Sequence, residues 1–196
     1  MQFDTEGIVC AIKGHGEHGT IVRLLTPEHG IVAAYVRGGR GRRMRPVLIP
    51  GNLVLAQLRS RTESQLPHAT IELVQSRGPA LGEPLQSAAI EWVTALVTSA
   101  LPERQSYSRV YQALAGLLDA IDAAPSAKGW STALAKFENL LIAELGYGRE
   151  GPAGADLFDS LEWSGDCLFA DILAGRIDAL RDSRARLVER LRRALV

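Results

Sequence analysis

The stretch GIVCAIKGHGEHGTIVRLLTPEHGIVAAYVRGGR, residues 7–40, decides the fold. Its apolar runs are short and rich in β-branched residues, and turn-forming residues separate them. Glycines recur between residues 14 and 19, and Pro27-Glu28-His29-Gly30 is a tight-turn signal. Runs of this length and composition are typical of β-strands. The pattern predicts three strands, over residues 7–13, 20–26 and 31–37.

Two further strands continue the pattern. Residues 52–59 alternate between apolar and polar side chains, and residues 69–75 place Ile71, Leu73 and Val74 around Glu72. Five short strands in fewer than eighty residues predict a small barrel, because closure removes the exposed edges that so short a sheet would otherwise carry.

Helical periodicity replaces strand alternation after Ser76-Arg77-Gly78-Pro79. Apolar side chains then recur at i, i+3, i+4 and i+7, whereas the Gly-, Asp- and Glu-rich residues 146–160 suggest a loop. Strands first and helices afterwards predict an α+β fold, not a parallel-sheet enzyme. The predicted helices cover residues 85–100, 107–121, 131–145 and 182–196; the predicted domains are a barrel over 1–77 and a helical domain over 78–196.

Charge divides along the same boundary. The chain has 22 basic and 22 acidic side chains, a balance that argues against coating nucleic acid by bulk charge. Residues 1–77 nevertheless hold ten basic and six acidic side chains, a net of +4, and residues 78–196 hold twelve and sixteen, a net of −4. This polarity predicts a basic patch on the N-terminal half.

The sequence also indicates the cellular compartment in which the protein is expected. The acidic N-terminus is not a secretory signal, and no run of eighteen apolar residues occurs. The two cysteines, Cys10 and Cys167, are too few for a disulfide framework or a four-ligand zinc site. We therefore expect a cytoplasmic protein with no membrane association.

Two motifs invite an enzymatic interpretation, and neither supports it. Gly14-His15-Gly16-Glu17-His18-Gly19 matches G-x-G-x-x-G, but a β-branched run follows it where the dinucleotide fingerprint needs a helix. His15, His18 and His29 lie close in sequence, but their spacing implies no fixed ligand geometry, so we expect solvated loop histidines. No nucleophile, base or metal cluster emerges, so the sequence predicts no enzyme and no catalytic residue.

The strongest local signal is RGGRGRRMRP at residues 37–46, here called the arginine loop. Five arginines fall in nine residues without an acid, and three glycines predict a mobile basic hairpin that approaches a ligand closely. Guanidinium groups bind phosphate bidentately and stack on bases, so the loop predicts a nucleic-acid-binding surface whose affinity falls with salt. The candidate DNA-binding residues are Arg37, Arg40, Arg42, Arg43, Arg45, Lys13, Arg59 and Arg61, with Arg23 as a possible extension.

The last helix is also basic. Arginines from Arg184 to Arg193 are interpreted as complementing the helix macrodipole near its C-terminus, which requires no ligand. Trp92, Tyr107 and Tyr111 lie on apolar stripes and are predicted to be core residues rather than stacking platforms.

The residues resemble a known family. Five segments of the N-terminal half look like the N-terminal domain of the bacterial DNA repair protein RecO family. They are Gly7-Ile8-Val9, the 14–19 turn, the run from residue 21 to 30, Tyr35-Val36-Arg37-Gly38-Gly39-Arg40 and Leu48-Ile49-Pro50-Gly51-Asn52. The later segment FENLLIAELGYG, residues 137–148, is similar to that family's helix ending in Leu-Gly-Tyr-Gly. The resemblance covers residues 3–148 well and the remainder weakly.

The resemblance implies a five-stranded OB-fold followed by a helical domain, and a non-enzymatic recombination mediator in DNA repair. Proteins similar to this one bind single- and double-stranded DNA and anneal complementary strands. They contact the C-terminal tail of single-strand binding protein and, with RecR, help to load RecA. By position, Arg37 and Arg40 match the family's Lys/Arg-Gly-x-Arg segment, which Arg42 and Arg43 extend.

The sequence departs from the family pattern in two respects, and two alternative functions remain compatible with it. Many relatives carry a zinc-binding cysteine cluster after Leu-Gly-Tyr-Gly, whereas Cys167 stands alone here, so we expect no zinc and no other cofactor. The chain is also shorter than the family norm in this region. The basic loop alone does not exclude an OB-fold factor that binds RNA, and a protein–protein adaptor whose loop binds an acidic partner is the other alternative.

Overall fold

The computed structural model describes residues 2–62, 64–124, 126–148, 155–173 and 178–195. Its N-terminal part is a closed five-stranded barrel with strand order β1-β2-β3-β5-β4. The five predicted strands are all present, and β1 is twice as long as expected because its first half pairs with β4 and its second half with β2. The strands are β1 (Gln2–His15), β2 (Gly19–Thr26), β3 (Gly30–Val36), β4 (Leu53–Arg59) and β5 (His68–Gln75).

Two local features close the barrel. A register shift between Val9 and Ala11 leaves Cys10 as an extra residue, a bulge that bends β1 between its two partners. A short parallel contact then joins β3 to β5, where Tyr35 lies opposite His68 and the Tyr35 N–H donates to the Pro67 carbonyl at 2.8 Å. Inward side chains fill the interior: Val9, Val22, Leu24, Val32, Ala34, Val36, Leu48, Val54, Ala56, Leu58, Ala69 and Ile71.

Helices follow the barrel and confirm the expected fold class. Three of the four predicted helices match to within three residues at either end, and the last begins at Asp178, four residues early. The helices are α1 (Gly78–Leu81), α2 (Pro84–Ala100), α3 (Ser108–Ala123), α4 (Ser131–Glu144), α5 (Leu157–Cys167) and α6 (Asp178–Leu195). A 3-10 turn (Ala127–Gly129) precedes α4, and a π turn (Leu168–Ile172) continues α5.

The expected loop over residues 146–160 is wrong from residue 157 onward, where α5 begins; residues 149–154 lie outside the described residues. The Asp156 carboxylate caps α5 by accepting the N–H groups of Phe158 and Asp159 at 2.8 and 2.9 Å. Sequence periodicity missed the helix because its buried face is made partly of small residues, Ser164 and Gly165, instead of an apolar stripe.

A buried guanidinium joins the barrel to the helices. The Arg77 side chain is only 3% exposed, and its guanidinium binds Asp119 at 2.7 Å and also Asp122, both on α3. The Arg77 backbone N–H donates to Asn52 Oδ1 at 2.8 Å. Because Asn52 precedes β4, this pair of residues connects the sheet directly to α3.

A buried carboxylate joins four helices. Glu138 of α4 is 1% exposed and accepts from Trp92 Nε1 of α2 at 2.7 Å and from Ser164 Oγ of α5 at 2.5 Å. Arg184 of α6 donates to both of its oxygens, at 3.1 and 2.7 Å. Arg184 is therefore a buried structural residue, and the macrodipole interpretation of the last helix is wrong for this arginine.

Replacing Arg77 tests the junction. Arg77→Met keeps most of the volume but removes the donors to Asp119, to Asp122 and to the Leu118 carbonyl, so we expect the free energy of unfolding to fall by about 1–2 kcal/mol. Urea denaturation measures the loss. The matched control is Arg109→Met, which breaks an exposed pair with Glu144 and should cost less than about 1 kcal/mol. Equal losses for the two variants would contradict a special role for Arg77.

Charge removal tests the buried Glu138 cluster. Glu138→Gln leaves the Arg184 cation buried without a counter-charge, which should cost about 3–5 kcal/mol. The double variant Glu138→Gln/Arg184→Met removes both charges and keeps an acceptor for Trp92. We therefore expect it to be more stable than the single variant in urea denaturation, and additive losses would contradict this account.

Candidate nucleic-acid interface

The arginine loop begins a series of consecutive turns that closes one end of the barrel. The Gly41 N–H donates to the Gly38 carbonyl at 2.9 Å, the Met44 N–H to Gly41 at 3.0 Å, and the Leu48 N–H to Met44 at 2.9 Å. Leu48, just after the loop, is 4% exposed and packs into the barrel core. The segment is therefore a run of turns and not the expected hairpin, and hydrogen bonds and an apolar anchor hold its backbone against the barrel.

Glycines position this segment by close approach rather than by mobility. A Cβ atom at Gly39 would lie 2.6 Å from both Cβ and Oγ1 of Thr20, so only glycine lets the loop pack against β2. Gly38 has a φ of +69°, a conformation that favours glycine at this turn. The backbone of the loop is thus fixed against the sheet, and its side chains project from a defined position.

The five arginines of the loop are all exposed, but they differ in their contacts. Arg40 folds back over the turn between β1 and β2, where its Nη1 donates to the Gly16 carbonyl at 3.2 Å. Arg45 Nε donates to the Arg40 carbonyl at 3.2 Å. Among the described residues, the guanidinium groups of Arg37, Arg42 and Arg43 make no hydrogen bond or ion pair, so their charge faces solvent.

The strand register aligns further candidates across the outer face of the barrel. Lys13 lies opposite Ile21, Ile21 opposite Tyr35, Tyr35 opposite His68, and His68 opposite Arg59. Directly opposed residues share a face of the sheet, so these five side chains form one row across five strands, here called the outer row. Lys13 and Arg59, separated in sequence, thus lie on either side of a central tyrosine.

A cleft extends the outer row at its β4–β5 end. It is an open depression of about 880 Å³, and Arg59, Arg61 and His68 are among its lining residues. The structure therefore brings Arg59 and Arg61 together, and it places Lys13 at the opposite end of the row.

Arg23, the possible extension, has a different role. Its guanidinium pairs with Glu103, in the connection between α2 and α3. Arg77 pairs with acids of α3 in the same way. Arg23 and Arg77 are thus two of the ten basic side chains of residues 1–77, and both are paired with acids. The other eight are the candidate DNA-binding residues named above.

An aromatic cluster occupies the centre of the outer row. The ring centroid of Tyr35 lies 5.8 Å from that of His15 and 5.2 Å from that of His68, both in edge-to-face geometry. Sequence reasoning missed Tyr35, although strand alternation places it on the outer face two residues before Arg37. His15 is exposed as expected, but it contacts a tyrosine instead of lying free in a loop.

The remaining motifs carry no chemistry of their own. The G-x-G-x-x-G segment connects β1 to β2, and the strand that follows leaves no helix N-terminus for a phosphate. Within the described residues, no three His, Cys, Asp or Glu side chains come together as metal ligands. The absence of zinc stays a prediction, because residues 149–154 and 174–177 are not among the described residues.

Comparison with known proteins adds independent evidence. The model of the family "Recombination protein O N terminal" matches residues 1–77, and that of "Recombination protein O C terminal" matches residues 82–151. A protein from Rhodopseudomonas palustris strain TIE-1, named DNA repair protein RecO, is 31% identical over 249 aligned positions that cover all of this chain and 98% of the relative. This chain belongs to the RecO family.

Other relatives align over shorter regions. The DNA repair protein RecO of Phenylobacterium zucineum is 37% identical over 170 residues, 83% of this chain and 67% of that protein. The protein of the same name from Rhodopseudomonas palustris strain BisB5 is 40% identical over 152 residues, 76% of this chain and 59% of that protein. The family supports a role in DNA repair and recombination. None of the described helices is long and apolar enough to cross a membrane.

A glycine substitution tests the fixed position of the loop. Gly39→Ala places a methyl group within van der Waals overlap of Thr20, so we expect a loss of about 1–3 kcal/mol in the free energy of unfolding and faster hydrogen exchange at Met44 and Leu48. The control, Gly116→Ala, lies in α3 with open space around it and should stabilise by about 0.5–1 kcal/mol. Unchanged exchange at both amides would contradict a packed loop.

Proposed function

We propose that this chain is a non-enzymatic recombination mediator that holds DNA on its barrel. The proposal rests above all on one observation: exposed guanidinium groups without acidic partners project from a loop fixed to the barrel end. Family membership supports the choice of DNA as the ligand. The residues proposed to contact DNA are Arg37, Arg40, Arg42, Arg43, Arg45, Lys13, Arg59 and Arg61.

The proposed mechanism is electrostatic. Arginines neutralise phosphates and release condensed counterions, so affinity depends steeply on salt and little on sequence. The ordered backbone of the loop reduces the conformational entropy lost on binding, while the side chains adapt to the phosphate positions. No chemical step is required, because a surface that holds two unpaired strands side by side promotes their annealing by raising local concentration.

The proposed partners are those that membership of the RecO family suggests. We infer that the protein binds single- and double-stranded DNA, anneals complementary strands, and acts with RecR to load RecA onto DNA covered by single-strand binding protein. The helical part, residues 78–196, would dock protein partners, including the C-terminal tail of single-strand binding protein. A site of action in the cytoplasm, at the nucleoid, belongs to the same proposal.

Salt dependence tests the electrostatic mechanism. The double variant Arg42→Ala/Arg43→Ala removes two charges whose side chains make no hydrogen bond or ion pair in the described chain, so folding should be unaffected. For a single-stranded oligonucleotide, we expect weaker binding and a slope of log affinity against log salt that is less steep by about 1.4, since each phosphate contact contributes about 0.7. Fluorescence anisotropy at several salt concentrations measures both.

The matched control removes the same net charge elsewhere. Lys136→Ala/Arg186→Ala takes two exposed cations from α4 and α6 and should leave the slope unchanged. If the control flattens the slope as much as the loop variant does, net charge and not the loop governs binding. If the wild type binds an RNA oligomer more tightly than a matched DNA, the RNA-binding alternative replaces the proposal; no binding to either favours a protein–protein adaptor.

A further inference from the structure

We propose that Tyr35, flanked by His15 and His68, is a stacking site for unpaired bases and that it makes the barrel favour single strands over duplex. The inference deepens the proposed function and rests on it, because the ligand is again a nucleic acid. It assigns a role to three side chains that the electrostatic mechanism leaves unused.

Tyr35 does not serve the apolar core. It belongs to neither core cluster, whereas Tyr107 and Tyr111 pack against the helical one. Its ring contacts are with two exposed histidines, and its hydroxyl makes no hydrogen bond within the described residues. Its cross-strand neighbour on β2 is Ile21, but no hydrogen bond within the described residues holds its hydroxyl, and its half-buried ring stays outside the barrel core. Its position therefore fits contact with a ligand.

The ring is held in place before any ligand binds. A Cβ atom at Gly19 would lie 2.3 Å from Tyr35 Cε2 and 2.5 Å from its hydroxyl oxygen, so the ring lies directly over a position that only glycine allows. The histidines border it on two further sides, at 5.8 and 5.2 Å. A ring confined in this way loses little conformational entropy when a base stacks on it.

Cations surround the aromatic cluster at distances suited to a nucleic-acid backbone. Lys13 lies two strands from Tyr35 on one side and Arg59 two strands away on the other, so the outer row follows the curved surface of the closed barrel over a contour of about 19 Å at about 4.8 Å per strand. That contour matches about six nucleotides at a stacked spacing of about 3.4 Å. Aromatic side chains together with flanking cations are the combination by which single strands are bound without sequence preference.

Stacking on Tyr35 requires a base with an accessible face. Bases of a duplex are already stacked on their neighbours, so a duplex can use the cations but not the aromatic cluster. An abasic strand has the same phosphates and no bases at all. These two ligands therefore separate stacking from charge, which a comparison of salt slopes cannot do.

The test compares Tyr35→Ala and Tyr35→Phe on three ligands of equal length: oligo(dT), an abasic oligonucleotide and a duplex. We expect Tyr35→Ala to weaken oligo(dT) binding about tenfold and to change abasic and duplex binding less than twofold. Tyr35→Phe keeps the ring and should bind oligo(dT) like the wild type. The control is His18→Ala, in the same β1–β2 turn, where the side chain is 88% exposed; it should leave all three affinities unchanged.

A second measurement needs no destabilising variant. Tyr35 ring protons, assigned by comparison with the Tyr35→Phe spectrum, should shift upfield when oligo(dT) binds the wild-type protein and stay in place with the abasic oligonucleotide. Equal effects of Tyr35→Ala on oligo(dT) and abasic strands, or ring protons that do not respond to oligo(dT), would overturn the stacking site. A wild type that binds none of the three ligands would instead overturn the proposed function itself.

Discussion

The buried guanidinium of Arg77 is the constraint on which the arrangement of the two parts depends. It is the last basic side chain before the helices, and it pairs with two acids of α3 while its backbone N–H binds Asn52. Asn52 in turn donates to the carbonyls of Pro46 and Val47, both at 3.0 Å. A continuous chain of hydrogen bonds therefore runs from α3 to the end of the arginine loop, and the loop is positioned by the helices as well as by the barrel.

The same outer face of the barrel has two different ends. Ile8 lies opposite Leu25 and Leu25 opposite Ile31, and this apolar row is buried against the helices. Four residues further along the strands, about 13 Å away, the face carries the outer row centred on Tyr35. Residues 24 and 25 of β2 are both apolar because the barrel interior buries one and the helices bury the other. Helix packing thus covers one end of the face and leaves the other exposed.

Sequence patterns predicted those secondary-structure elements that local interactions determine. Alternation gave the five strands and i, i+4 periodicity gave the long helices, because each pattern reflects a buried face of its own element. The sequence patterns did not predict contacts between residues far apart in the chain. Examples are the contact of Glu138 with Arg184, 46 positions apart, and the contact of Tyr35 with His68 where β3 and β5 pair in parallel. The cluster of loop arginines was visible in sequence, but its ordered backbone was not, since the Leu48 anchor and the fit of Gly39 against Thr20 exist only in the folded barrel.

Ion pairs show which charges of the basic N-terminal half and the acidic C-terminal half neutralise each other. The acids of the helical part neutralise Arg23 and Arg77 at the junction, so these cations stabilise the structure and are not available to a ligand. The remaining basic side chains of residues 1–77 lie in the arginine loop, along the outer row and in the cleft beside it. A polyanion is attracted to that end of the barrel and repelled by the acidic helical half, which has a net charge of −4 over residues 78–196. Paired charges thus fix the junction, and the basic side chains with no acidic partner among the described residues lie on the side of the barrel where the aromatic cluster lies.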